Sequence, residues 1–277
     1  MEKKQRPWVK VLLWAASVVL MVGAFLGGLI FLPENNVASL IEYLVITVLI
    51  LGFLALISGK KTFGFLNNQT GYTVKALLPM LIFSLIFTAA GCISLLMERP
   101  PLAENWLLNL LLNAVNMFLV GVYEEGCFRA CACDALLPAL KKTRHPFLYT
   151  ALISGVVFGY VHVVFADFSD LQQVLQFFLK IANTMLFGSA CMLLYWKTRN
   201  LLGLAIIHGL NDFLPAFLGD IFAFAKEEEE SAAGYTTGEV SSTILFLVQL
   251  VVMGLCFLAV YKKVGKTIDY KKTLEEW

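Results

Sequence analysis

Three short stretches of the 277-residue sequence place ionisable side chains in otherwise apolar surroundings: Glu124-Glu125-Gly126-Cys127-Phe128-Arg129, Phe158-Gly159-Tyr160-Val161-His162 and His208-Gly209-Leu210-Asn211-Asp212. Carboxylates and imidazoles can take a proton from water and return it. An amide or imidazole donor beside them can hold the negative charge that water attack on a carbonyl creates. On a helix, neighbouring residues point about 100° apart, so Glu124 and Glu125 face different ways. Glu125 and Arg129, at i and i+4 with the acid first, share a face in the favourable orientation for an ion pair. That pairing leaves Glu124 to face a cavity as a base. Phe158 and His162 share a face, as do His208, Asn211 and Asp212. Lys180 stands alone outside these stretches.

The elements that must carry these residues are membrane helices. Of the chain, 59% is hydrophobic and 15% charged, against about 25% charged in soluble domains, and the mean hydropathy is +0.76. Apolar runs long enough to cross roughly 30 Å of hydrocarbon recur throughout, and they are apolar on all sides, which excludes the alternation of a membrane barrel. The pattern predicts an all-α, polytopic membrane protein with eight transmembrane helices near Val9 to Leu32, Val37 to Ser58, Thr73 to Met97, Trp106 to Leu137, Pro146 to Ala166, Leu171 to Trp196, Leu201 to Phe224 and Ser241 to Lys262. The three polar stretches fall on the fourth, fifth and seventh. Gly23 and Gly27 in the first run predict ordinary close helix packing. By rise per residue, His208 lies about 10 Å along its helix but His162 about 24 Å along its own. The two meet only if the fifth helix is tilted or starts farther out.

Charge placement supports the helix count independently. Lys3, Lys4, Arg6 and Lys10, then Lys60, Lys61 and Lys75, then Lys141, Lys142 and Arg144, then Lys197 and Arg199, then the Lys262 to Lys272 cluster alternate with gaps holding Glu34, Glu98 and Glu104, Asp167 and Asp170, and Glu227 to Glu230. The positive-inside rule puts both termini in the cytoplasm and Lys226 to Ser242 outside as a mobile acidic loop. The net charge of +1 forms no basic patch, so nucleic acid is not an expected partner. Cys92, Cys127, Cys131, Cys133, Cys191 and Cys256 all lie in apolar runs and read as packing residues rather than a disulfide framework. Three domains are expected: helices one to three over 1–104, a catalytic core over 105–217, and the acidic loop, eighth helix and basic tail over 218–277. Ionisable groups in a membrane helix cost roughly 3 kcal/mol each at its centre, and interhelical glue, an ion pathway and catalysis all remain open as reasons for keeping them.

Taken in order, the three stretches read EExxxR, FxxxH and HxxxN/D. The set resembles the CPBP family, which unites CAAX prenyl proteases with Abi and bacteriocin-processing membrane proteins, over roughly Asn113 to Pro215. The turn Thr198-Arg199-Asn200-Leu201-Leu202 is similar to the family's entry into the third motif. The resemblance implies an intramembrane endopeptidase acting on a membrane-associated peptide or protein, in bacteriocin or signal-peptide maturation or self-immunity, in a bacterial plasma membrane. It implies Glu124 and His162 as the water-activating pair and His208 with Asp212 as the oxyanion side, supported by Glu125, Arg129 and Phe158. Asp212 departs from the amide form of the motif, since an ionised carboxylate cannot donate; either it is protonated in its apolar site or, the favoured expectation, it orients His208 and leaves Asn211 as the donor. No cofactor is required on this reading. If zinc is bound, Glu124, His162 and His208 are its expected ligands, although HExxH spacing is absent. A non-catalytic immunity or scaffold protein and a proton-coupled transporter are the alternatives.

Overall fold

The computed structural model describes residues 6–33, 35–59, 66–164, 168–223 and 238–277. The described chain is helical, with a single antiparallel bridge, Leu102 to Phe222, as its only β-type pairing. Helices α1 (Pro7–Phe31), α2 (Asn36–Ser58), α3 (Thr70–Glu98), α4 (Trp106–Leu140), α6 (Leu171–Thr198), α7 (Leu201–Ile221) and α8 (Val240–Thr267) are long and apolar enough to cross a membrane. Between α4 and α6 lies α5 (Pro146–Val161), and a short α9 (Tyr270–Glu276) ends the chain. Large apolar side chains such as Ile30, Val48, Leu96 and Val251 are exposed on the outside of the bundle, as expected for surface facing lipid. The protein is an all-α polytopic membrane protein. The acidic stretch Glu227 to Glu230 lies outside the described residues.

Two helices depart from the sequence expectation. α3 is interrupted by a 3₁₀ turn over Leu78–Leu81, where Pro79 removes a backbone donor. α5 stops at Val161 rather than continuing to Ala166, with His162 as its C-cap. Its last turn tightens, as His162 N–H donates to the Gly159 carbonyl and Val163 N–H to that of Tyr160, while the His162 ring takes the Phe158 carbonyl at 2.7 Å. At about 1.5 Å per residue, its 16 residues span about 24 Å, less than a full hydrocarbon core.

The close pair at the centre is α4 with α7. A Cβ on Gly121 would collide with the Ala205 carbonyl, and one on Gly209 would meet the Met117 carbonyl oxygen at 2.7 Å and Phe118 Cα at 3.0 Å. The two backbones therefore touch directly, as small residues permit in membrane bundles. Gly209→Val should lower the melting temperature in detergent by an amount equivalent to about 3 kcal/mol, because the obstruction is backbone rather than a movable side chain. The α5 and α6 pair is built the same way: a Cβ on Gly159 would lie 2.9 Å from Ile181 Cα, and one on Gly155 would lie 3.1 Å from Met185 Cγ. Gly23 and Gly27 meet nothing within 4 Å among the described residues, contrary to the sequence expectation; it is Gly28 that abuts Glu42 of α2.

The end of the bundle carrying the α6 to α7 turn is locked by polar contacts. Arg199 is left-handed at φ 50°, and its Nη2 donates to both Asp134 carboxylate oxygens at 2.8 and 2.9 Å. Ser58 and the Trp277 indole donate to the same carboxylate. Burial disfavours the Arg199 charge, but Asp134 beside it outweighs this and holds the guanidinium above its ordinary value. Asn200 caps α7 by accepting from the Gly203 N–H and donates to Asn67.

Candidate active site

Helix α4 carries a π-helical turn over Gly126–Cys131, directly after the two glutamates. Such bulges widen the helix and leave carbonyls poorly satisfied, which hydrocarbon does not tolerate without neighbouring donors. Here the neighbours supply them: Trp14 Nε1 of α1 donates to the Cys127 carbonyl at 3.2 Å, and Ser154 of α5 donates to that of Phe128. Trp14→Phe removes a donor from a buried acceptor and should destabilise the fold by about 2 kcal/mol, read as a lowered melting temperature.

The bulge presents both glutamates to one imidazole. Glu125 Oε1 lies 2.6 Å from His208 Nδ1, and Glu124 Oε2 lies 3.3 Å from His208 Nε2. Pointing in different directions, as helical geometry requires, the two acids grip opposite sides of the same ring. Glu125 Oε2 also pairs with Arg129 Nε at 3.1 Å, both side chains being fully buried. The Arg129 guanidinium stacks 4.1 Å above the Phe158 ring. That ring in turn packs edge-on against His162 at 4.6 Å and His208 at 6.0 Å. Phe158 thus separates the buried cation from the two imidazoles.

His162 reaches the cluster from the end of α5. Its Nδ1 faces the Phe158 carbonyl, an acceptor only, so Nδ1 carries the proton and Nε2 offers a lone pair. That Nε2 stands 3.8 Å from Glu124 Oε2. His162 and His208 both reach Glu124 Oε2, at 3.8 and 3.3 Å, so the fold brings together two residues that rise per residue alone sets at different depths.

Asp212 Oδ2 lies 3.4 Å from His208 Nε2, on the side shared with Glu124. The Asn211 side-chain oxygen accepts from Ser84 of α3 at 2.7 Å, and its amide nitrogen lies 3.4 Å from Asp212 Oδ1. Glu124, His162, Lys180, His208, Asn211 and Asp212 all line a cavity of about 700 Å³. Its remaining wall is largely apolar, with Met21 and Phe25 of α1, Ile46 of α2, Phe87 of α3 and Phe246 of α8 among the contributors.

Every site residue singled out in the sequence falls in this one cluster. Its other members were not legible as such. Ser84 carries no motif, and the i, i+4 spacing of Glu125 points to Arg129 and not to His208. Glu42 and Asp134 are further acids inside apolar runs, but they lie outside this cavity, against Gly28 and Arg199. Glu124, His162 and His208 are the donor types of a zinc site. Among the described residues, however, no group of three or more His, Cys, Asp or Glu side chains is arranged to hold an ion. Both ring nitrogens of His208 already face carboxylates.

Fold and site together define an all-α integral membrane protein with a carboxylate and imidazole cluster opening on an intramembrane cavity. Residues 105–214 match the family model described as Rce1-like, type II CAAX prenyl endopeptidase Rce1-like. That stretch, less than half of the chain, carries all three motifs and is similar to that family, in keeping with the CPBP resemblance. Neither the curated proteins nor the solved structures contain a match to the chain.

Proposed function

We propose that the chain is an intramembrane endopeptidase that hydrolyses a membrane-associated peptide or protein with water activated between Glu124 and His162. The observation that carries this reading is the 3.8 Å separation of Glu124 Oε2 and His162 Nε2. Two acceptors at that distance do not bond each other, but one water can donate to both. Its lone pair is then free to attack a carbonyl. The water proton passes to Glu124 and is returned to the leaving amine as the C–N bond breaks. His208, oriented by Glu125, and the Asn211 amide are the donors for the oxyanion, with Asp212 ordering both.

The Rce1-like match supports a peptide substrate processed near a lipid-modified terminus, and the apolar cavity wall suits such a chain. Bacteriocin or signal-peptide maturation and self-immunity are the settings that the CPBP resemblance adds, in a bacterial plasma membrane with both termini cytoplasmic. The test is cleavage of a prenylated CAAX-type peptide by the reconstituted protein in water enriched in ¹⁸O. One heavy oxygen in the new C-terminal carboxylate is expected from direct water attack. No cleavage, or label entering only by later exchange, counts against the reading. The favoured chemistry requires no metal, so dialysis against 1,10-phenanthroline should leave the rate within twofold. A rate lost to the chelator and restored by zinc would replace the water-activating pair with a metal site.

A further inference from the structure

We infer that Lys180 is a catalytic residue of this site, donating to the substrate oxyanion and balancing the carboxylate that Asp212 places where the third motif also allows an amide. The inference rests on the hydrolytic reading above and extends it to a helix that carries none of the three motifs.

Position is the first ground. The close approach of α5 and α6, set by Gly155 against Met185 and Gly159 against Ile181, brings the residue before Ile181 level with the end of α5, where His162 sits. Lys180 lines the same cavity as Glu124, His162, His208 and Asp212.

Charge is the second ground. Three carboxylates, those of Glu124, Glu125 and Asp212, surround His208. Glu125 is neutralised by Arg129, which leaves Glu124 and Asp212 facing the cavity with His208, an imidazolium when it donates from both ring nitrogens, to offset one of them. An oxyanion forming beside the remaining carboxylate would be repelled unless a further cation shared the space. An ammonium is a flexible point charge with three donors and no acceptor. From the cavity that it shares with Asp212 it can donate to the oxyanion during attack. Asn211, whose oxygen is held by Ser84, supplies a neutral donor but no charge.

The experiment compares wild type, Lys180→Met, Asp212→Asn, the double variant and Glu124→Gln in liposomes, with the prenylated CAAX-type peptide as probe. Lys180→Met is expected to lower kcat about a hundredfold with KM within threefold. Adding Asp212→Asn, which removes the uncompensated charge and supplies an amide, should recover at least tenfold. A purely structural lysine predicts no such recovery. A phosphinate analogue of the peptide, whose anion mimics the tetrahedral intermediate, should bind Lys180→Met at least tenfold more weakly, a readout independent of turnover. Lys180→Met within threefold of wild type while Glu124→Gln is inactive overturns the role of Lys180 and leaves the hydrolytic reading standing. A slow Lys180→Met that Asp212→Asn does not rescue, or unchanged phosphinate affinity, also overturns it. Wild-type cleavage by Glu124→Gln overturns the reading beneath it.

Discussion

Replacing Glu124 with Gln should lower peptide cleavage by about a thousandfold while leaving the melting temperature in detergent nearly unchanged. Gln has the same shape and keeps an oxygen toward His208, 3.3 Å away in the native site, but that oxygen does not take a proton from water. The neighbouring Glu125 cannot substitute. Both of its oxygens are committed, one to His208 and one to Arg129, and its side chain is fully buried. A cellular phenotype that survives Glu124→Gln, with expression verified, would fit a non-catalytic scaffold or immunity protein. Loss of proton-coupled flux on replacing His162 would favour a transporter.

Arg129→Met should destabilise the fold by about 3 to 5 kcal/mol, the cost of leaving a fully buried carboxylate without its cation. Arg129 is 1% exposed and Glu125 0%, and the guanidinium is wedged between the Phe158 ring and Gly188 of α6. Unfolding in a denaturing detergent titration measures the loss. Adding Glu125→Gln removes the stranded charge, so the double variant should regain a large part of that stability. It should remain inactive, however, because the group that orients His208 has been altered. Stability unaffected by Arg129→Met would show that the pair contributes little to holding α4.

Much of the fold was legible because lipid imposes simple rules on a chain. Runs of apolar residues with no surface to hide must become helices, and they predict eight spans. Seven of these are long and apolar enough to cross a membrane among the described residues, while Pro146–Val161 is shorter. The Glu125 and Arg129 pairing was legible for the same kind of reason, since i and i+4 contacts depend only on local geometry. The early stop of α5 was not. It comes from His162 turning its ring onto the Phe158 carbonyl, a competition between side chain and backbone that hydropathy does not register. The glycine contacts divide similarly: Gly23 and Gly27 have packing spacing but meet nothing within 4 Å among the described residues, whereas Gly121 and Gly209 gain their meaning from the facing backbones of Ala205 and Met117.

The sequence by itself determined the membrane class, the helical elements and the identity of the three motifs, because burial in hydrocarbon and short-range helical geometry act on residues near in the chain. Only the tertiary structure decided that Glu124 and Glu125 hold opposite sides of one imidazole, that Ser84 and Lys180 share the cavity, and that Trp14 and Ser154 satisfy the bulge. Those contacts join helices separated by tens to more than a hundred residues. Their distances follow from how backbones pack across the bundle, which no local pattern encodes.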